Sequence, residues 1–199
     1  MKLRDITKNL ENFKENEINV IVNRRHYKMS RRFNYETPSL FLGQAFGAGK
    51  EYNEIIAQSM NDARDYFQKD IPVYTQLEIA ESQTINNAKV FGIAYDYGEK
   101  AGIKSKINSF TLIKDMKEEI NQEGLDSTKI LYFAHPGHIF RVIEIGKKQG
   151  LEGGVFIPEK VIWPENDLQS WVRNPKVWKK REILARTHHW ITGKFKREL

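Results

Sequence analysis

His138 and Arg141 are the side chains in this sequence best suited to chemistry. They sit in Lys129–Ile145, KILYFAHPGHIFRVIEI. An apolar run, Ile130–Ala134, stops at a Pro-Gly turn, and an amphipathic stretch then opens with His138. Positions i and i+3 share one helix face. The guanidinium of Arg141 is permanently charged and presents a planar fork to phosphate or carboxylate. Imidazole titrates near neutrality, so His138 is a candidate proton donor or general acid–base. Free N–H groups at a helix start add an anion cradle.

Two more segments carry polar groups of the right kind. Residues 78–88, EIAESQTINNA, place Glu78, Thr84 and Asn87 after a short extended piece. Glu78 is a candidate to orient His138 or to accept from a sugar hydroxyl; Thr84 and Asn87 are candidate ligand hydrogen-bonders. Residues 43–49, GQAFGAG, include Gly43 and Gln44, and their three glycines allow close backbone approach to a ligand. Each group also has a plain structural role open to it. Thr84 and Asn87 are acceptable helix caps. Glu78 and Arg141 suit an ion pair, His138 suits an N-cap or the surface, and 43–49 suits a simple turn.

These groups need elements to hold them. The pattern predicts a polar helix over 3–15, a strand at Ile18–Val22, a basic connection over 23–38 and a strand at Ser39–Leu42. Tyr52, Ile55, Ile56, Met60, Ala63 and Phe67 recur at helical spacing over 51–68. Pro72–Tyr74 and Leu77–Ile79 read as extended. Ser82 or Thr84 is the expected cap of a helix over 85–100. A short extended segment and then a charged helix, KDMKEEI, are expected within 105–123, followed by a helix over 138–149 ended by Gly150, a strand at Val155–Ile157, and a long helix over 175–192. Strands alternating with helices predict an α/β sandwich of three layers with a mostly parallel sheet. Ligands in such folds sit beyond the carboxyl ends of the strands. One rim should therefore gather 43–49, 78–87 and 135–141.

The ordered set resembles the YdcF-like family, which includes the SanA and ElyC proteins of bacteria. The resemblance rests on Glu78, Thr84 and Asn87-Ala88, then ILYFAHPGHIFR with His138 and Arg141, preceded by Leu42-Gly43-Gln44 and a helix over 51–68. Glu81 stands where the family pattern has Ser. The strand Ile18–Val22 runs into Asn23-Arg24-Arg25-His26, where the family has a Gly-rich loop. The match covers roughly residues 39–160. It implies a Rossmann-like fold, a polar pocket, links to the cell envelope and a nucleotide-like ligand. It implies no defined reaction or cofactor.

Bulk properties narrow the classes. One domain over 1–199 is the simplest reading of a chain with 40% hydrophobic and 29% charged residues. Cysteine is absent, so disulfides and thiolate metal sites are excluded. His135 with His138, and His188 with His189, lack a carboxylate partner at metal-motif spacing, and no metal site is expected. No G-x-S-x-G elbow occurs. No apolar run approaches the roughly 20 residues that span a bilayer. The N-terminal stretch is polar and acid-bearing, unlike a signal peptide. A cytoplasmic location is expected.

The net charge of +6 is uneven. Residues 24–32 carry five Lys/Arg and no acid; residues 173–199 carry nine against Glu182 and Glu198. Trp171, Trp178 and Trp190 interleave with those cations, which suits nucleic acid or an anionic membrane. Val177, Leu184, His188 and Ile191 instead form a stripe suited to docking on the sheet. The leading expectation is a YdcF-like protein binding an anionic, phosphorylated or nucleotide-like small molecule at the rim, as a binder or as an enzyme using His138 and Glu78. The alternative is a non-enzymatic binding protein that uses its basic C-terminal helix on nucleic acid or anionic lipid.

Overall fold

Apolar residues that alternate along the central strands build two cores, one on each sheet face. The computed structural model describes residues 20–22, 25–27, 37–92, 108–158 and 161–191. Its strands are β1 (Val20–Val22), β2 (Arg25–Tyr27), β3 (Leu40–Gly43), β4 (Val73–Thr75), β5 (Ala88–Val90), β6 (Ile130–Phe133) and β7 (Gly153–Ile157). Its helices are α1 (Lys50–Phe67), α2 (Leu77–Ser82), α3 (Ser109–Gln122), α4 (Pro136–Lys148) and α5 (Pro175–Ile191), with a 3-10 turn at Ser170–Val172. Leu40, Leu42, Ile130, Tyr132, Val155 and Ile157 pack on Leu112, Met116, Ile139 and Val142 of α3 and α4. Phe41, Val73, Leu131, Phe133 and Phe156 pack on Tyr52, Ile56, Met60 and Ile79 of α1 and α2. Period-two burial with helices on both faces makes three layers.

The sheet order is β2-β1-β7-β6-β3-β4-β5. The central five strands are all parallel. β1 joins β7 in parallel, and β2 pairs antiparallel with β1 at the edge. From β3 the chain winds outward through β4 to β5, then returns to β6 and winds the other way to β7. The order reverses between β3 and β6, and in doubly wound folds the carboxyl ends at such a reversal are where ligands sit. This is the expected Rossmann-like α/β architecture. The strand that starts the doubly wound unit is β3, and the loop that follows it bears the glycines. The expected strand at 18–22 is described from Val20 and lies beyond β7, away from that reversal.

Several local expectations are corrected. Leu77–Ile79 is the start of helix α2, not an extended piece. Ile85–Val90 does not begin a helix: Asn87 takes φ +55° in a turn and Ala88–Val90 is strand β5. Propensity in 85–92 is weak, and pairing with β4 decides the outcome. Val177 and Leu184 do not dock on the sheet; they are 48% and 70% exposed, while Trp178 of α5 is buried. The helix expected over 3–15, residues 23, 24 and 28–36 of the basic connection and residues 93–100 of the expected helix lie outside the described residues.

Candidate functional site

The loop between β3 and α1 is built to satisfy its own backbone. Gly43 lets β3 pass close to α1, since a Cβ there would overlap Met60 and crowd Thr75 Oγ1. Gln44 N–H extends the pairing to Phe133 O at 2.9 Å. Ala45 N–H donates to Gln76 Oε1 at 2.9 Å and Phe46 N–H to Asn53 Oδ1 at 3.0 Å. Gly47 holds φ +82°, a left-handed turn glycine tolerates. The amides of Ala48 and Gly49 then donate to the carboxylate of Asp167, at 3.2 and 2.6 Å. Asp167 is 2% exposed and also accepts from Gln169 N–H at 2.7 Å. The positive end of α1 therefore already holds a negative charge, supplied from the segment between β7 and α5.

The second helix start is also closed from within. The expected helix over 138–149 begins earlier, at Pro136, and its N-cap is His135. His135 Nδ1 accepts from Gly137 N–H at 3.0 Å, and its Nε2 faces Ile162 O at 3.1 Å. Those partners fix the neutral tautomer with the proton on Nε2. His138 N–H and Ile139 N–H both donate to His135 O. Pro136 has no N–H, so the expected cradle of free amides is absent from this first turn. His135 lies in an aromatic box, stacked on Phe46 at 3.7 Å and edge-on to Tyr52 and Trp163. Burial pushes its pKa down to about 3.

His138 and Arg141 do meet, on the expected shared helix face. Arg141 Nη2 donates to His138 Nδ1 at 2.9 Å, which places the neutral imidazole's proton on Nε2. Burial, and then the adjacent Arg141 charge, hold the His138 pKa well below its ordinary value. His138 is thus neutral at pH 7 rather than poised to titrate. Arg141 Nε lies 3.4 Å from Glu182 Oε1 of α5, and Trp178 Nε1 of the same helix donates to Gly137 O at 2.9 Å. The acid facing Arg141 is Glu182, whereas the sequence pointed to Glu78.

Glu78 stands in the first turn of α2, beyond the carboxyl end of β4, and is 7% exposed. Among the described residues no hydrogen bond joins it to His138. Thr84 and Asn87 do not reach this rim. Thr84 O accepts from Asn61 Nδ2, and Asn87 Nδ2 donates to Asp70 Oδ2 at 2.7 Å. Asp70 precedes β4 and Asn87 precedes β5, so both lie at the strands' amino ends. The parallel pairing Val73↔Ala88 fixes that placement.

Gln44 stays at the rim. It is 4% exposed, and its Nε2 donates to Ser109 Oγ at 2.5 Å, on the α3 and α4 face. Among the described residues its Oε1 has no partner, and neither do Tyr52 Oη and Thr75 Oγ1. All three belong to the carboxyl ends of β3 and β4 or the first turn of α1. Buried polar groups are satisfied in the great majority of cases, so three unsatisfied valences at one rim are a chemical signal. Thr75 and Tyr52 read in the sequence as ordinary strand and helix core. Asp167 and Gln76 carried no pattern, whereas Glu182, the lone acid within 173–191, was legible as an exception. Among the described residues no group of three or more His, Asp or Glu is placed to hold a metal ion. Comparison with protein-family models, curated proteins and solved structures finds no match.

Proposed function

We propose that this is a YdcF-like α/β protein that binds a small anionic molecule, phosphorylated or nucleotide-like, at the carboxyl rim of the sheet, around the ends of β6, β3 and β4. The observation that carries the reading is the set of unsatisfied valences on Gln44, Tyr52 and Thr75 at that rim. Hydroxyls and an amide suit a polyhydroxylated ligand such as a sugar or ribose. Both helix starts are already capped, α1 by Asp167 and α4 by His135, so the charge that meets its anionic group is that of Arg141. Arg141 and His138 support the α4 side, with Arg141 orienting the imidazole and Nε2–H available as a donor in the neutral ring. Binding, rather than proton cycling by His138, is the chemistry this neutral histidine suits.

The test is binding of ribonucleotides, sugar phosphates and inorganic phosphate, measured by calorimetry and thermal shift. The key variants are Thr75→Val and Gln44→Ala. Thr75→Val is close in shape and removes an unsatisfied hydroxyl, so it should leave stability unchanged or raised. The expected result is a ligand bound by the parent and weakened at least tenfold by both variants. A ligand bound equally by parent, Thr75→Val, Gln44→Ala and Arg141→Lys would overturn the reading.

A further inference from the structure

Helix α5 carries one acid, Glu182, among Lys176, Lys179, Lys180, Arg181 and Arg186. The fold turns that acid inward, against Arg141 of α4. The outward surface is left cationic. Lys176, Lys179, Lys180 and Ile183 follow i, i+3, i+4, i+7 spacing, and Val177, Lys180 and Leu184 form the adjoining stripe. Ile183 is 55% exposed, Val177 48% and Leu184 70%, with Leu168 also exposed just upstream. The three lysines are exposed as well. Aliphatic side chains thus stand out from a field of like charge on one side of a helix about 25 Å long.

We infer that this face of α5 docks on an anionic lipid surface. The cations match lipid phosphates, and the protruding Val177, Ile183 and Leu184 have an apolar layer to enter. The tryptophans decide between lipid and nucleic acid. Single-stranded nucleic acid is held by exposed aromatic rings. Here Trp178 is buried with its Nε1 bonded to Gly137 O, and Trp171 is covered by the Arg181 guanidinium at 3.9 Å. Among the described side chains of this segment, both tryptophans are used within the protein, and the apolar side chains left on the surface are aliphatic. Glu182 and Trp178 also clamp α5 to α4, so this face is held on the body of the protein. The inference is independent of the rim ligand, since no residue of the exposed face belongs to that site.

Co-sedimentation with vesicles tests it, using the full chain. Phosphatidylcholine vesicles should capture little protein, and vesicles containing phosphatidylserine should capture it in a salt-sensitive way. Each Lys→Glu change at Lys179 or Lys180 should weaken capture by roughly fivefold or more. Leu184→Asp should weaken it at least tenfold, with circular dichroism and melting temperature unchanged. Three results would overturn the inference: no capture on anionic vesicles at low salt, capture indifferent to Leu184→Asp, or stronger binding to single-stranded RNA that Leu184→Asp leaves intact. The last would assign the face to nucleic acid.

Discussion

Acidification from about pH 8 to about pH 5 should destabilise this protein through His135, ahead of its carboxylates. In the folded state burial lowers the His135 pKa to about 3, while an unfolded histidine titrates near 6.5. The unfolded chain therefore takes up a proton that the folded chain refuses. A depressed folded pKa gives stability that is complete above about 6.5 and is lost as pH falls toward about 3. Linkage puts the loss at about 2 kcal/mol by pH 5 for this one group. His138, also lowered by burial and by Arg141, adds in the same direction. Urea unfolding followed by tryptophan fluorescence at several pH values measures the sum. His135→Asn separates the term, because an asparagine oxygen can still cap Gly137 N–H but does not titrate. The variant should be less stable at pH 8, having lost the Phe46 stack, and its pH dependence should shrink by about 2 kcal/mol. Stability that is flat from pH 8 to pH 5, or a variant with the parent's full pH dependence, would refute the buried neutral histidine.

Asp167→Ala should cost about 3–5 kcal/mol, because it strands the Ala48, Gly49 and Gln169 amides; Asp167→Asn, which keeps an acceptor, should cost less, and denaturant midpoints order the two. Gly146→Ala should cost about 1–3 kcal/mol, since its methyl meets the Tyr132 hydroxyl that bonds Leu151 O. Adding Tyr132→Phe should make the pair cost less than the sum, a non-additivity visible in a double-mutant cycle. Removing one side of the Arg141–Glu182 pair, as in Glu182→Leu, should cost about 3 kcal/mol. Arg141→Met with Glu182→Leu should recover most of that loss in thermal melts.

Local pattern fixed the elements whose burial is periodic. Tyr52, Ile56, Met60 and Ala63 mark α1, and all are buried. Ile130–Phe133 marks β6, and the Pro-Gly turn marks the start of α4. These depend on spacing along one segment, which a sequence displays directly. The His138–Arg141 contact was legible for the same reason, being an i, i+3 pair. Pairings between distant segments were not legible. Asp167 sits 118 residues from Gly49, and Glu182 lies 41 residues from Arg141. Each contact is set by where two elements cross, and residue type alone does not encode that. The same limit moved Thr84 and Asn87 to the far rim, because β5 rather than a helix follows them. It also turned Val177 and Leu184 outward, since the stripe that docks on α4 is the one carrying Trp178 and Glu182. The sequence by itself determined that this chain is α/β and that His138 and Arg141 share a helix face. Tertiary structure decided that this histidine is neutral, that both helix starts are capped by the chain's own groups, and that Gln44, Tyr52 and Thr75 each keep a buried polar atom with no partner among the described residues. Desolvation and hydrogen-bond satisfaction are properties of the packed surroundings, which exist only once the strands have found their order.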